Sequence, residues 1–125
     1  MVSGDHGGTR VLLVDDDELV ISVFHTALVR AGFSVRDAPD AAAALRMLAI
    51  SPVKVVVLDA HMAGSTLDEN LMAINALPDK PTVIVLSGAR VEPALLAAHG
   101  ATYLAKPIDA VDFIAAVGAA ASSDD

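Results

Sequence analysis

One stretch of this 125-residue chain decides the fold, Val55-Val56-Val57-Leu58-Asp59. It stays apolar without alternation until its last residue, which is typical of a strand buried on both faces of a parallel sheet. A similar run, Val11-Leu12-Leu13-Val14, also ends in carboxylates, Asp15 and Asp16. Because ligands of parallel α/β sheets bind at the carboxyl ends of the strands, we expect the three acids to share one pocket.

Two later strands are expected to end in polar residues at the same edge. The run 82–86 leads into Ser87, and the run 102–105 leads into Lys106. Carboxylates with a hydroxyl and an ammonium suit a site that holds a divalent metal and handles a phosphoryl group. Hard oxygen ligands suit Mg²⁺, and a lysine suits phosphate oxygens.

Apolar β-branched runs alternate with stretches of helical period, which is the pattern of repeated βα units. Strands are predicted at 10–14, 33–36, 53–58, 82–86 and 102–105, and helices at 18–31, 40–50, 67–77, 91–99 and 108–121. The first helix offers a core face that contains Leu19, Val20, Val23, Leu28 and Ala31. We expect one domain at 9–121, a disordered tail at 1–8, and a tail or the start of a linker at 122–125.

The composition excludes several classes of function. The chain has no cysteine, which rules out disulfides, thiol catalysis and cysteine-based zinc sites. Its net charge of −8 argues against direct nucleic-acid binding by this segment, because a phosphate-backbone binder needs a basic face. No apolar run approaches the roughly 18 residues that a membrane helix needs, so we expect no membrane contact. The absence of cysteine is compatible with a reducing cytoplasm, where we expect the protein to be located.

Taken together, the motifs resemble those of receiver domains of two-component response regulators. They occur in that family's order and at nearly its spacing: Val14-Asp15-Asp16-Asp17, Val57-Leu58-Asp59, Ser87-Gly88 and Tyr103-Leu104-Ala105-Lys106-Pro107. The resemblance covers almost the whole chain. It implies a flavodoxin-like α/β fold, a doubly wound five-stranded parallel sheet of order 2-1-3-4-5 with helices on both faces.

The resemblance also implies roles for the site residues. Asp59 would be the phosphoacceptor, attacking the phosphorus of a phosphohistidine on a histidine kinase or histidine phosphotransfer protein. Lys106 would pair with the phosphoryl oxygens. Mg²⁺ would be bound directly by Asp16 and Asp59 and through water by Asp15, with the backbone carbonyl of His61 completing the protein ligands.

A switch is implied as well. Ser87 would bond to the phosphorylated aspartate, and the ring of Tyr103 would move into the vacated space. The face made by helix four, strand five and helix five would then change its preference for a downstream protein or a fused output domain, or form a phosphorylation-dependent dimer. Asp17 is expected only to cap the first helix, since acids favour a helix N-terminus.

Two alternatives stay open at this stage. One is a degenerate receiver that acts only as a protein-binding module. The other is a haloacid-dehalogenase-like phosphatase with Asp15 as its nucleophile, since 15–19 matches that family's aspartate-any-aspartate start. Such a phosphatase also needs a late acidic pair after a strand, whereas Asp109 and Asp112 fall in a predicted helix start. A receiver would not be a conventional enzyme, but it would catalyse its own phosphorylation and dephosphorylation.

Overall fold

A computed structural model describes residues 7–122 of the chain. Strands and helices alternate through this range: β1 (Arg10–Val14), α1 (Glu18–Arg30), β2 (Ser34–Ala38), α2 (Ala41–Ile50), β3 (Val55–Asp59), α3 (Leu67–Asn75), β4 (Thr82–Ser87), α4 (Pro93–His99), β5 (Thr102–Ala105) and α5 (Ala110–Ser122). Most of the predicted tails, residues 1–6 and 123–125, lie outside the described residues.

The strands form one parallel sheet of order β2-β1-β3-β4-β5, which confirms the predicted topology. The second strand lies at Ser34–Ala38 rather than at 33–36. This strand is at the sheet edge and pairs with β1 along its full length, from Arg10 opposite Ser34 to Val14 opposite Ala38. Pairing with the neighbour therefore sets its end, because its own sequence has little hydrophobic pattern.

Helix ends follow local capping rather than the hydrophobic pattern. The fourth helix begins at Pro93 rather than at residue 91, with proline in its first turn, where a missing N–H costs nothing. The fifth begins at Ala110 rather than at residue 108, and the N–H of Asp112 donates to Asp109 Oδ1 at 2.9 Å. The third begins at Leu67 as predicted but ends at Asn75, two residues early.

Two apolar layers cover the faces of the sheet. Helices α2, α3 and α4 cover one face, and α1 and α5 cover the other. The central strand β3 is buried along its whole length, as its unbroken apolar run predicts. None of the helices within residues 7–122 has the length and apolar character that crossing a bilayer requires.

The predicted core face of α1 was partly wrong. Leu19 is 73% exposed and Val23 is 53% exposed, whereas Phe24 and Leu28 pack into the layer that also contains Phe113 of α5. Two apolar stripes run along α1, and both have helical spacing. Only the packing of α1 beside α5 decides which stripe faces the sheet, so the other is left at the surface.

Candidate functional site

Backbone hydrogen bonds between strands fix the positions of the predicted site residues. The N–H of Asp15 donates to the carbonyl of Ala38 at 3.1 Å, which holds the end of β1 against β2. The N–H of Lys106 donates to the carbonyl of Ser87 at 2.8 Å and extends the β4–β5 pairing by one residue. These side chains therefore start from the carboxyl edge of the sheet, as expected from the sequence.

An acidic group forms where β1 and β3 end. Carboxylate oxygens of Asp15, Asp16 and Asp59 lie within 4.8 Å of one another. Asp15 and Asp59 are buried, while Asp16 is exposed. Three carboxylates at this spacing repel one another unless a cation lies among them, and their hard oxygen atoms fit Mg²⁺. The donor set present in the chain is therefore suited to a divalent metal.

Lys106 supplies a positive charge directly beside two of these carboxylates. Its Nζ lies 3.6 Å from Asp15 Oδ2 and 3.5 Å from Asp59 Oδ1. Both distances are long for hydrogen bonds, so the contacts are mainly electrostatic. The ammonium is close enough to offset part of the negative charge and remains partly exposed, so it is accessible to an incoming anion.

Ser87 and Tyr103 meet at a residue that the sequence did not point to, Ala89. The buried Ser87 hydroxyl donates to the Ala89 carbonyl at 2.8 Å and accepts from the Ala89 N–H at 3.0 Å. The Tyr103 hydroxyl donates to the same carbonyl at 3.3 Å, with 37% of the residue exposed. In this state the serine hydroxyl is hydrogen-bonded to the backbone of the loop that follows β4.

The family model of the response regulator receiver domain matches residues 11–118, which is most of the chain. The chain belongs to this family of two-component signalling domains. The fold comparison agrees: a CheY-like receiver domain protein from Methanospirillum hungatei has a TM-score of 0.85 at 21% identity, with 90% of this chain and 93% of that chain covered. The chemotaxis protein CheY4 of Vibrio cholerae gives 0.83 at 24% identity, with coverage of 90% and 98%.

Sequence relatives are longer proteins. The receiver is 32% identical over 116 residues to the DNA-binding transcriptional regulator NtrC of Rhizobium meliloti, covering 90% of this chain and 24% of the relative. It is 36% identical over 111 residues to the acid tolerance regulatory protein ActR of the same organism, covering 86% of this chain and 57% of the relative. The chain thus spans less than two thirds of the length of these relatives.

The electrostatics of the receiver's acidic group are most visible at Asp15. Burial raises the pKa of this carboxyl above its ordinary value of 3.8, and repulsion from Asp59 and Asp16 acts in the same direction. The N–H of Asp17, which donates to Asp15 Oδ1 at 2.9 Å, and the ammonium of Lys106 partly oppose the rise in pKa. The charged form of Asp15 is therefore costly in the folded receiver.

We expect Asp15→Asn to stabilise the metal-free receiver at neutral pH. An acid whose folded pKa is raised stabilises the fold below its unfolded pKa, and that contribution is lost as the pH rises through the folded pKa. At pH 7 the charge on Asp15 therefore destabilises the fold. Asparagine removes this charge, and its amide oxygen can still accept from the Asp17 N–H. Thermal unfolding in a chelator should show a melting temperature higher by a few degrees.

A matched control is Asp79→Asn, which removes one acidic charge from an exposed loop residue. It should leave the melting temperature nearly unchanged. At pH 3 the advantage of Asp15→Asn should shrink, because Asp15 is then protonated in the parent as well. Added Mg²⁺ should also narrow the difference, since binding stabilises the folded parent. A variant with lower stability at pH 7 in chelator would contradict this account.

Asp17, His61 and His99 lie at different positions relative to the acidic group. Asp17 Oδ1 accepts from the N–H groups of Leu19 and Val20, so its predicted role as the cap of α1 is confirmed. His61 is exposed, and its N–H lies 3.5 Å from Asp59 Oδ1. His99 bridges α3 and α4 through Nε2, 2.7 Å from Asp68 Oδ1, and lies outside the acidic group.

An exposed apolar groove beside the acidic group was not predicted. It has a volume of about 610 Å³ and is lined by the exposed stripe of α1 together with the loop that follows β5, including Leu19, Val23, Lys106, Pro107 and Ile108. The sequence signal was the second apolar stripe on α1, which contains Leu19 and Val23 and was predicted to face the core. The groove shares Lys106 with the site and therefore lies next to the carboxylates.

Proposed function

We propose that this receiver accepts a phosphoryl group on Asp59 from a histidine kinase or a histidine phosphotransfer protein. The observation that carries the proposal is the position of Lys106 Nζ, 3.5 Å from Asp59 Oδ1 and 3.6 Å from Asp15 Oδ2, beside three gathered carboxylates. A structural ion pair alone needs one acid. Three acids with one partly exposed cation suit a site that takes up a charged oxygen-rich group.

The chemistry follows from the position of the Asp59 carboxylate. One of its oxygens forms a bond to phosphorus while the bond from phosphorus to the histidine nitrogen breaks, and that electron pair returns to the imidazole ring. The Lys106 ammonium pairs with the charge on the phosphoryl oxygens. Loss of the group is hydrolysis, in which a water oxygen attacks phosphorus and Asp59 leaves as a carboxylate. His61 is exposed, its N–H lies 3.5 Å from Asp59 Oδ1, and its side chain would influence how this water enters.

Mg²⁺ is the cofactor that the donor set fits. Asp15, Asp16 and Asp59 would hold it, together with the backbone carbonyl of His61, and water would complete its shell. When bound, the metal supplies positive charge that offsets the phosphoryl oxygens. The chain's own contribution is to hold three carboxylates within 4.8 Å and to keep two of them buried.

We propose the apolar groove between α1 and the loop after β5 as the docking surface for the phosphodonor protein. Residues 7–122 leave Leu19 and Val23 exposed there, and Lys106 and Gly88 line the same groove. A donor helix that covers these residues would bring its phosphohistidine towards Asp59. Burial of the apolar surface would provide the binding affinity, and the position of the groove beside the acidic group would orient the phosphohistidine towards Asp59.

The output surface that we propose is the face of α4, β5 and α5. Helix α4 has no buried residue, and β5 is an edge strand, so this face is weakly fixed. When the Ser87 hydroxyl turns to a phosphoryl oxygen, it gives up its bond to the Ala89 carbonyl. The Tyr103 hydroxyl donates to that same carbonyl. The change in hydrogen bonding at Ser87 therefore affects Tyr103, and through it the face, by way of one shared acceptor. A downstream protein, a fused output domain or a second receiver would read the change.

We expect beryllofluoride with Mg²⁺, a mimic of the phosphorylated state, to shift amide resonances at the pocket and across this face. The remote residues to follow are Val91, Leu95, His99, Tyr103 and Ala105. Ser87→Ala should keep the pocket shifts and lose most of the remote ones, because the hydroxyl that links them is gone. Ser22→Ala, at an exposed position on α1, is the matched control and should behave like the parent. Remote shifts that survive in Ser87→Ala would rule out this route.

Incubation with acetyl phosphate or phosphoramidate and Mg²⁺ tests the function itself. Mass spectrometry of the intact protein should show one added phosphoryl group, and peptide mapping should place it on Asp59. Chelation of the metal should prevent the labelling. No labelling would favour a protein-binding module, and a phosphoryl group on Asp15 would favour the phosphatase chemistry.

We further propose that residues 9–121 form the receiver unit. We propose that it is located in the cytoplasm and makes no direct contact with nucleic acid or membrane.

A further inference from the structure

A second cavity lies at the opposite end of the sheet from the acidic group. It has a volume of about 250 Å³ and lies between the β1–β2 edge and the end of α2. We call it the basic cavity, and its walls include Arg10, Ser34, Arg36, Met47, Leu48 and Ser51. No acidic residue is among those that line it. In a chain of net charge −8, a concave site with two cations and no acid is unexpected.

Strand register brings the two arginines together. Arg10 lies opposite Ser34, and Leu12 lies opposite Arg36, so Arg10 and Arg36 are diagonal neighbours on the α2 face. From a strand spacing of about 4.8 Å and a rise of about 3.3 Å per residue, their Cα atoms are roughly 8 Å apart. Both guanidinium groups can therefore reach one bound anion, with a hydroxyl available on each side.

The two arginines differ in the hydrogen bonds that their side chains already make. Arg10 Nη1 donates to Ser51 Oγ at 3.3 Å and approaches the Pro52 carbonyl at 3.5 Å, so part of its role is to satisfy the end of α2. Within residues 7–122, the exposed side chain of Arg36 makes no hydrogen bond or ion pair. A guanidinium that needs no partner for folding is available for a ligand.

We propose that the basic cavity binds a small dianion, namely a phosphate monoester or dicarboxylate of a few carbons. Guanidinium groups match the paired oxygens of both anions, and the serine hydroxyls add hydrogen bonds. Met47 and Leu48 give an apolar wall for a short carbon chain. The end of α2 carries roughly half a negative charge, which the two full positive charges exceed. The cavity lies below the common size of drug-like sites, about 300–1,000 Å³, so a compact ligand fits.

A ligand in this cavity would contact both the edge strand β2 and α2. Its binding would not require phosphorylation, because the cavity lies at the other end of β1 from the acidic group. β1 spans about 16 Å between Arg10 and the acidic group, given its five residues. A ligand held between the two elements stabilises the folded receiver in proportion to its concentration. The receiver would thereby respond to a small anionic metabolite as well as to a phosphodonor.

Titrations of the isotope-labelled receiver, followed by amide resonances, test the proposal. The probes are inorganic phosphate, glycerol 3-phosphate and succinate, at constant ionic strength and in chelator, so that metal-dependent binding at the acidic group is excluded. We expect saturable shifts at 34–36 and 51–53 with at least one probe. Tighter binding of glycerol 3-phosphate identifies the phosphate class, and tighter binding of succinate identifies the dicarboxylate class. Shifts that do not saturate, or that centre on Lys106, would overturn the proposal.

Substitution of single arginines tests how much each one contributes to anion binding in the basic cavity. Arg36→Gln should weaken binding about tenfold while leaving the melting temperature without ligand unchanged, since the Arg36 side chain has no hydrogen-bond or ion-pair partner within residues 7–122. Arg46→Gln is the matched control, because Arg46 is exposed on α2 but does not line the cavity, and its affinity should equal that of the parent. Arg10→Gln should weaken both binding and stability. Equal affinity in Arg36→Gln and Arg46→Gln would refute the site.

Discussion

Asp59→Asn is expected to reduce phosphorylation by acetyl phosphate to background. The amide lacks the carboxylate oxygen that would attack phosphorus. Asp59 is the acid that ends β3, and its Oδ1 lies 3.5 Å from Lys106 Nζ. The fold should survive the change, because asparagine has nearly the same shape as aspartate. Removing one of three mutually repelling charges should also leave the melting temperature in chelator unchanged or higher. Intact-protein mass spectrometry measures the labelling.

The control for this variant is Asp79→Asn, which removes an acid in an exposed loop. It should be labelled as fully as the parent. Circular dichroism of both variants should be superimposable, so that loss of labelling is not loss of structure. Full labelling that persists in Asp59→Asn would move the nucleophile to another residue, and mapping would show whether Asp15 takes its place.

Much of the acidic group could be predicted from the sequence because its members follow directly after strongly apolar strands. Val14 and Leu58 are fully or almost fully buried, and an acid placed one step beyond such a residue must emerge at the sheet edge. The order of the sheet was a different matter. The alternation of strands and helices indicated parallel βα units, but only the family resemblance implied the order 2-1-3-4-5, which the structure then confirmed.

Features that depend on relations between distant elements were not predictable. The sequence did not choose between the two apolar stripes of α1, because packing against α5 makes that choice. The basic cavity depends on Arg10 standing opposite Ser34, a register that neither strand encodes alone. Ala89 was missed because its part in the Ser87–Tyr103 contact is played by a backbone carbonyl, which has no side-chain signature.

Opposite outcomes are expected for two neighbouring aspartates, Asp16→Ala and Asp17→Ala. Asp16 contributes an exposed carboxylate to the acidic group, so its loss should weaken Mg²⁺ binding about tenfold or more, equivalent to ~1.4 kcal/mol. Asp17 instead accepts from the N–H groups of Leu19 and Val20 at the start of α1. Its loss should lower the free energy of unfolding by about 1 kcal/mol, as for other N-cap residues, with little change in Mg²⁺ affinity.

Each variant serves as the control for the other, since both remove one acidic charge from the same turn. Isothermal titration gives the Mg²⁺ affinity, and denaturant unfolding in chelator gives the stability. Asp16→Ala should unfold at or above the midpoint of the parent, because it relieves repulsion on Asp15. If both variants lost Mg²⁺ affinity equally, the metal would be responding to the summed charge of the turn. The separation of metal ligand from helix cap would then be wrong, and the proposed magnesium donor set would need another member from that turn.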